Sequence, residues 1–231
     1  MRKKVFCLPY AGGSAKLIYG KWQRLEDPNI EIIPVEFPGR GSLLMDKCYE
    51  TIDEAIDGTL RIIRDSIKNC EYGIWGHSMG AIIAYELGNR INELELKKPK
   101  NIIVTGKKPL HLKDDEEPIH ELPDDEFIKE VIELNGTQKG VFENEELKKL
   151  FLPVLRNDFK LVHEYKYKKP LNEFDIPLTV ITGNKDNIRD VELFRWNDLT
   201  SSKCKIIILE GDHFFINDNV ENMWEIIKNT I

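Results

Sequence analysis

The sequence predicts an α/β fold: a mainly parallel twisted sheet with helices on both faces and a helical insertion over about residues 110–175. Three observations predict it. Six short apolar runs, at residues 4–8, 31–35, 72–75, 102–105, 177–182 and 205–209, are rich in Val, Ile and aromatics, and several end at Gly or Pro, which is how strands read. Near-continuous apolar runs fit strands covered on both faces, as in a parallel sheet. Helical patterns alternate with these runs, and one long interval breaks the alternation.

In chain order, "MRKKVFCLPYAGG" opens with a basic cluster and a short apolar run that Pro9 interrupts. A secretory leader carries a longer apolar region, so the run is read as a first core strand. After the second strand, "TIDEAIDGTLRIIRDSIKN" places Ile52, Ala55, Ile56, Leu60, Ile63 and Ile67 on one face with charges opposite. That is an amphipathic helix, which Gly58 weakens without ending. A second helix is expected over residues 81–91 and a third over 219–231. From Leu110 to Asp175 no strand is evident. This interval opens on the acidic "KDDEEPIHELPDDE" and carries two helical patterns, near 124–134 and 144–165, with Asp124 as a candidate cap. An insertion of this size between strands four and five is expected to be a lid on a single domain rather than a loop.

The 231 residues suit one domain with a sizeable core. A net charge of −7 gives no nucleic-acid footprint, which would show clustered Lys and Arg. No run approaches the ~18 apolar residues of a membrane span. Cys7, Cys48, Cys70 and Cys204 lie far apart with no C-x-x-C pair, which argues against zinc or dithiol chemistry and for reduced thiols in a cytoplasmic protein.

The chemistry begins at "YGIWGHSMGAIIAYEL", Tyr72 to Leu87. A serine between two glycines, after a strand and before a helix, is the pattern of a nucleophile elbow: the backbone is strained at Ser78, so Gly76 and Gly80 must be small. The helix that follows turns its unpaired N–H groups toward the serine, and Met79 N–H can donate to a developing oxyanion. A serine hydroxyl needs a base, and in this architecture the partners follow as acid, then His, each after a later strand. Among five histidines, His213 in "LEGDHFF" stands four residues past the last strand. His77 adjoins the serine and points elsewhere; His111, His120 and His163 fall in the insertion. Asp186, four residues past Thr182, is the first choice of acid, with Asp190 and Asp212 as rivals. Gly12 and Gly13 in "LPYAGGSA" let the backbone after the first strand approach a ligand, where a second oxyanion donor is expected.

The segments "LPYAGGSA", "PVEFPGRG", "GHSMGA", "HELPDDEF", "LPVLRNDF", "YKYKKPL" and "GDHFFI" occur in this order across nearly the whole chain. The ordered set resembles the type II thioesterases that accompany nonribosomal peptide and polyketide synthases. The resemblance implies an α/β-hydrolase fold with a helical lid and hydrolysis of stalled or aberrant acyl groups from the phosphopantetheine arm of acyl and peptidyl carrier proteins. It implies Ser78 as nucleophile, Asp186 as acid, His213 as base and oxyanion donors at the N–H of Met79 and of Ala11, with no metal or organic cofactor. Departures from the family pattern are Leu8 before the Pro-Tyr pair, "TGKKPL" after the fourth strand and "NGTQ" at residues 135–138. They bear on acyl preference rather than on the chemistry.

Two basic runs, Lys97–Lys100 and Lys166–Lys169, and Arg40 in "PGR" are candidates for contact with a carrier or its phosphate, each weighed against a solvated face. The alternative functions are a generic carboxylesterase on small esters, a chain-releasing thioesterase, and a non-catalytic binding protein on a hydrolase scaffold. Comparing an acyl-loaded carrier with a simple activated ester separates the first; a lost triad member would favour the last.

Overall fold

The structure, a computed structural model, describes residues 2–112, 117–134 and 140–231. Six strands form one sheet: β1 (Lys3–Leu8), β2 (Ile30–Pro34), β3 (Tyr72–His77), β4 (Asn101–Thr105), β5 (Leu178–Gly183) and β6 (Cys204–Leu209). Their order is β2-β1-β3-β4-β5-β6, and every pairing is parallel. Each expected strand is present, with ends shifted by one or two residues.

β3, β4 and β5 are buried along their whole length, whereas β2 and β6 at the edges are partly exposed. Side chains alternate between faces along a strand. Phe6, Leu8, Ile74, Ile102, Val104, Leu178 and Val180 pack on one side against α2 (Ile52–Ile67) and α3 (Met79–Glu93). Val5, Cys7, Trp75, Ile103 and Ile181 pack on the other against α1 (Ala15–Gln23) and α8 (Val220–Thr230). The sequence pattern did not announce α1: nine residues with Gly20 inside give a short signal. In the structure Ala15, Ile18, Tyr19 and Trp22 form its buried stripe.

Between β4 and β5 the described residues form α4 (Asp124–Glu133), α5 (Gly140–Glu143) and α6 (Glu145–Glu164). Phe127, Val131, Phe142, Leu152 and Leu155 give this segment a small core of its own. Asn144 caps α6, accepting from Glu146 N and Leu147 N. Asp124 does not cap α4. Pro123 precedes the helix without a side-chain bond, and the Asp124 carboxylate accepts from Arg156 instead. Residues 135–138 and 113–116, part of the acidic stretch, lie outside the described residues.

The chain leaves β1 for β2 on one side and returns to β3 on the other, so β1 and β3 are neighbours flanking a topological switch point. Ligands in open parallel sheets bind beyond the carboxyl ends of strands at such a point. The loop after β1 and Ser78 after β3 both lie there.

Candidate active site

The turn from β3 into α3 is as tight as the sequence requires. Ser78 has φ 54° and ψ −113°, a left-handed backbone that costs a non-glycine residue roughly 1–3 kcal/mol. Ser78 N donates to Thr105 O at 2.9 Å, which pins the strained residue to β4. A Cβ at Gly76 would lie 1.9 Å from Gly80 O, and one at Gly80 would lie 2.3 Å from Leu8 O. The two glycines let the start of α3 settle onto the end of β3 and onto β1. Ser78 is half-buried, and its side chain does not cap the helix. Met79 N–H is the first of α3 and belongs to the group of helix N–H donors without an intrahelical acceptor.

Asp186 and His213 meet across the β5 and β6 loops. Both carboxylate oxygens of Asp186 lie near His213 Nδ1, at 3.1 and 3.2 Å. The Asp186 side chain is 6% exposed and that of His213 29%. Asp186 is itself oriented: Thr182 Oγ1 donates to Oδ2, Asn187 N donates to Oδ1, and Asp186 N donates to Gly183 O. Backbone bonds from Asn184 N to Leu209 O and from Lys185 N to Gly211 O lace the two loops together. An ionised carboxylate can only accept, so in this bond His213 Nδ1 is the donor. The rivals are employed elsewhere: Asp212 accepts from Phe214 N in a turn, and Asp190 begins a short helix, α7 (Asp190–Leu193).

The His213 ring packs 5.1 Å from that of His77, the residue before Ser78. A Cβ at Gly106, next after β4, would lie 3.3 Å from His213 Cε1. These contacts bring the imidazole to the end of β3 beside the elbow. The side-chain hydrogen bonds of His213 go to Asp186, and among the described residues none joins His213 to Ser78.

His77 points away from solvent. Thr105 Oγ1 donates to Gly76 O and therefore accepts from Trp75 Nε1 and His77 Nδ1. Burial, and next the neighbouring His213, hold the His77 pKa well below its ordinary 6.5, so the ring stays neutral.

The loop after β1 is pinned at several points. Gly13 N donates to Tyr10 O, Tyr19 Oη to Leu8 O, and Glu36 accepts from Ser14 Oγ and Ala15 N. Gly12, at φ 73°, donates its N–H to Asp158 Oδ2 at 2.7 Å. Asp158 lies on α6, 1% exposed, and takes two bonds from Arg40, at 2.5 and 2.9 Å.

This corrects the expectation for Arg40, which is neither a phosphate ligand on the surface nor a solvated loop residue. It is 3% exposed. Burial opposes its charge, but Asp158 outweighs burial and the guanidinium pKa is raised. Asp158 is the site-region residue that sequence reading missed. A signal was present: with Val154, Leu155 and Leu161 it falls at helical spacing on the apolar face of α6, and a charge on such a face needs a buried partner.

The other candidates lie apart. His120 and His163 pair with each other in the segment between β4 and β5, with rings 5.2 Å apart, and His111 meets Asp198. In the first basic run Lys98 pairs with Asp175 and Lys100 with Glu71; in the second, Lys166 donates to His163 O. Among the described residues no helix is long and apolar enough to cross a membrane.

Comparison with known proteins gives the family of the chain. A family profile described as "Thioesterase domain" matches residues 3–231. The chain is 35% identical to the linear gramicidin dehydrogenase LgrE of Brevibacillus parabrevis, over 98% of this chain and 87% of that protein. Among solved structures it resembles ClbQ from the colibactin nonribosomal peptide/polyketide pathway, with TM-score 0.93, 31% identity and coverage of 100% and 97% of the two chains. It also resembles BorB, a type II thioesterase from the borrelidin biosynthetic cluster, with TM-score 0.89, 28% identity and coverage of 100% and 93%.

Proposed function

The chain belongs to the thioesterase family, and we propose that it clears stalled or aberrant acyl groups from the phosphopantetheine arm of carrier proteins in nonribosomal peptide or polyketide synthesis. Such a carrier returns to the assembly line with its thiol free. The resemblance to type II thioesterases of biosynthetic clusters supports this substrate class. Although one relative is named a dehydrogenase, this sequence has no G-x-G-x-x-G fingerprint and does have a serine elbow.

Ser78 attacks the thioester carbonyl while His213 Nε2 takes its proton. Asp186 holds the Nδ1–H tautomer and stabilises the imidazolium that forms. The N–H groups of Met79 and Ala11 receive the negative oxygen, and each such donor contributes roughly 100- to 1,000-fold. The pantetheine thiol leaves with the proton from His213. Water then attacks the acyl-serine through the same base and frees the acid. The observation that carries this reading is the Asp186–His213 pair beside a left-handed Ser78. The segment from about 110 to 175 serves as the lid of a single domain and shapes the acyl channel. Four unpaired cysteines support a reducing, cytoplasmic setting.

The test is intact-mass measurement of carrier proteins loaded with acetyl and longer acyl groups, before and after exposure to the protein. Loss of acyl mass with the pantetheine arm retained is the expected result. Turnover of a simple activated ester with the loaded carrier untouched rejects the reading in favour of a generic esterase.

A further inference from the structure

The buried ion pair between Arg40 and Asp158 has a third member, the Gly12 N–H, and this member gives the pair a task beyond stability. Ala11 is flanked by two peptide units. The Tyr10–Ala11 unit carries the Tyr10 carbonyl, which accepts from Gly13 N at 3.0 Å. Because a trans peptide points its N–H opposite to its C=O, this bond sets the direction of Ala11 N–H. The Ala11–Gly12 unit carries Gly12 N–H, held by Asp158 Oδ2 at 2.7 Å. Gly12 itself sits at φ 73°, and a Cβ there would lie 2.4 Å from Leu155 Cδ1 of α6. Thus α6 lies directly on the loop, and one of its carboxylates closes the turn.

We propose that Asp158, held in place by Arg40, is a positioning residue that aims the oxyanion donor at Ala11 through its hydrogen bond from Gly12. Asp158 does not touch the substrate. Its second oxygen and its charge are occupied by the Arg40 fork, which fixes the carboxylate in one orientation. Glu36 holds the far end of the same loop through Ser14 and Ala15, so the chain that follows Ala11 is held by two carboxylates, Asp158 at Gly12 and Glu36 at Ser14 and Ala15. α6 belongs to the segment between β4 and β5. Seating of that segment and completion of the oxyanion hole are therefore one structural event, and an enzyme whose α6 is unseated has a serine but an incomplete hole. The inference rests on the proposed roles of Ser78 and Ala11.

Removing one partner of a buried pair leaves an orphan charge, whereas replacing both by residues of similar volume often leaves stability intact. Two double variants therefore isolate the acceptor. Arg40→Met with Asp158→Leu removes both charges and the acceptor for Gly12 N–H. Arg40→Gln with Asp158→Asn removes both charges and retains an amide oxygen in the acceptor's place. Each is assayed for kcat and KM on an acetyl-pantetheine thioester. Each is also assayed for the affinity ratio between a trifluoromethyl ketone, whose serine adduct places an oxyanion in the hole, and the corresponding methyl ketone. That ratio is independent of the fraction of protein folded.

The Met/Leu pair is expected to lose up to about 100-fold in kcat, with KM within about threefold and a matching fall in the ketone ratio. The Gln/Asn pair is expected to recover most of both. Equal kcat and equal ketone ratios in the two double variants, at whatever level, overturn the proposal. Ser78→Ala serves as the control: turnover by that variant would refute the underlying reading of the site rather than this inference.

Discussion

Asp186 presents both carboxylate oxygens to one nitrogen of His213, at 3.1 and 3.2 Å, although the two side chains come from loops after different strands. Parallel strands make this possible, because every β-to-α loop emerges at the same edge of the sheet. β5 and β6 are neighbours in register from Leu178↔Cys204 to Gly183↔Leu209, so their carboxyl-end loops are held side by side.

The amide Asn can donate to Nδ1 and thereby select the wrong imidazole tautomer. Asp186→Asn should therefore lower kcat by about 1,000- to 10,000-fold with KM little changed. Steady-state kinetics on an acyl-pantetheine thioester measures this. A loss below tenfold would show that Asp186 does not orient the base.

The left-handed backbone at Ser78 is stored strain. Ser78→Gly relieves it, whereas Ser78→Ala removes the same hydroxyl and keeps it. The glycine variant should be more stable than the alanine variant by about 1 kcal/mol, and both should be inactive. Urea unfolding of the two gives the difference, and equal midpoints would argue that the elbow is unstrained.

Because burial lowers the His77 pKa, the folded protein binds a proton there less readily than the unfolded chain does. Between the depressed pKa and 6.5 the unfolded state holds more protons, so stability rises with pH in that window and is lost as pH falls below about 6.5. His120, whose pKa is lowered by burial and then by His163, acts in the same direction. His77→Phe should reduce the slope of unfolding free energy against pH below 6.5 by up to about 1.4 kcal/mol per pH unit. An unchanged slope would show that His77 does not resist protonation.

Arg156 on α6 ties down the residues that lead into α4. It donates to the carbonyls of His120 and Leu122 and to Asp124, and its guanidinium lies 4.4 Å from the Phe127 ring centre. Arg156→Ala should loosen α4 locally. Hydrogen exchange over Asp124–Glu133 should speed up about tenfold or more, from the loss of charge-assisted bonds, while β3 and α3 keep their protection. Equal acceleration throughout the sheet would mean that this segment does not open as a unit.

Much of this architecture is legible locally. Strand runs such as Ile102–Val104 need only their own hydrophobicity, and the spacing of Gly76 and Gly80 about Ser78 announces the tight turn there. The order of Ser78, Asp186 and His213 along the chain reflects strand succession, so that too can be read in one dimension. What cannot be read locally is pairing across the fold. Arg40 looked solvent-borne because its partner stands 118 positions away, and a basic residue after Pro-Gly carries no mark of burial. Asp124 looked like a cap because it precedes an apolar stripe, yet Arg156 claims its carboxylate. α1 went unmarked because its burial depends on Trp75 and α8 beneath it more than on its own nine residues.

Mass spectrometry of the protein itself decides whether these loops form one catalytic unit. The protein is mixed with an acyl-loaded carrier, stopped in acid, weighed intact and mapped by peptide. An adduct of one acyl group should appear on the peptide containing Ser78. It should be absent in Ser78→Ala and should form at least about 1,000-fold more slowly in His213→Ala. Full release of free acid by Ser78→Ala, with no adduct on the wild-type serine, would contradict the account.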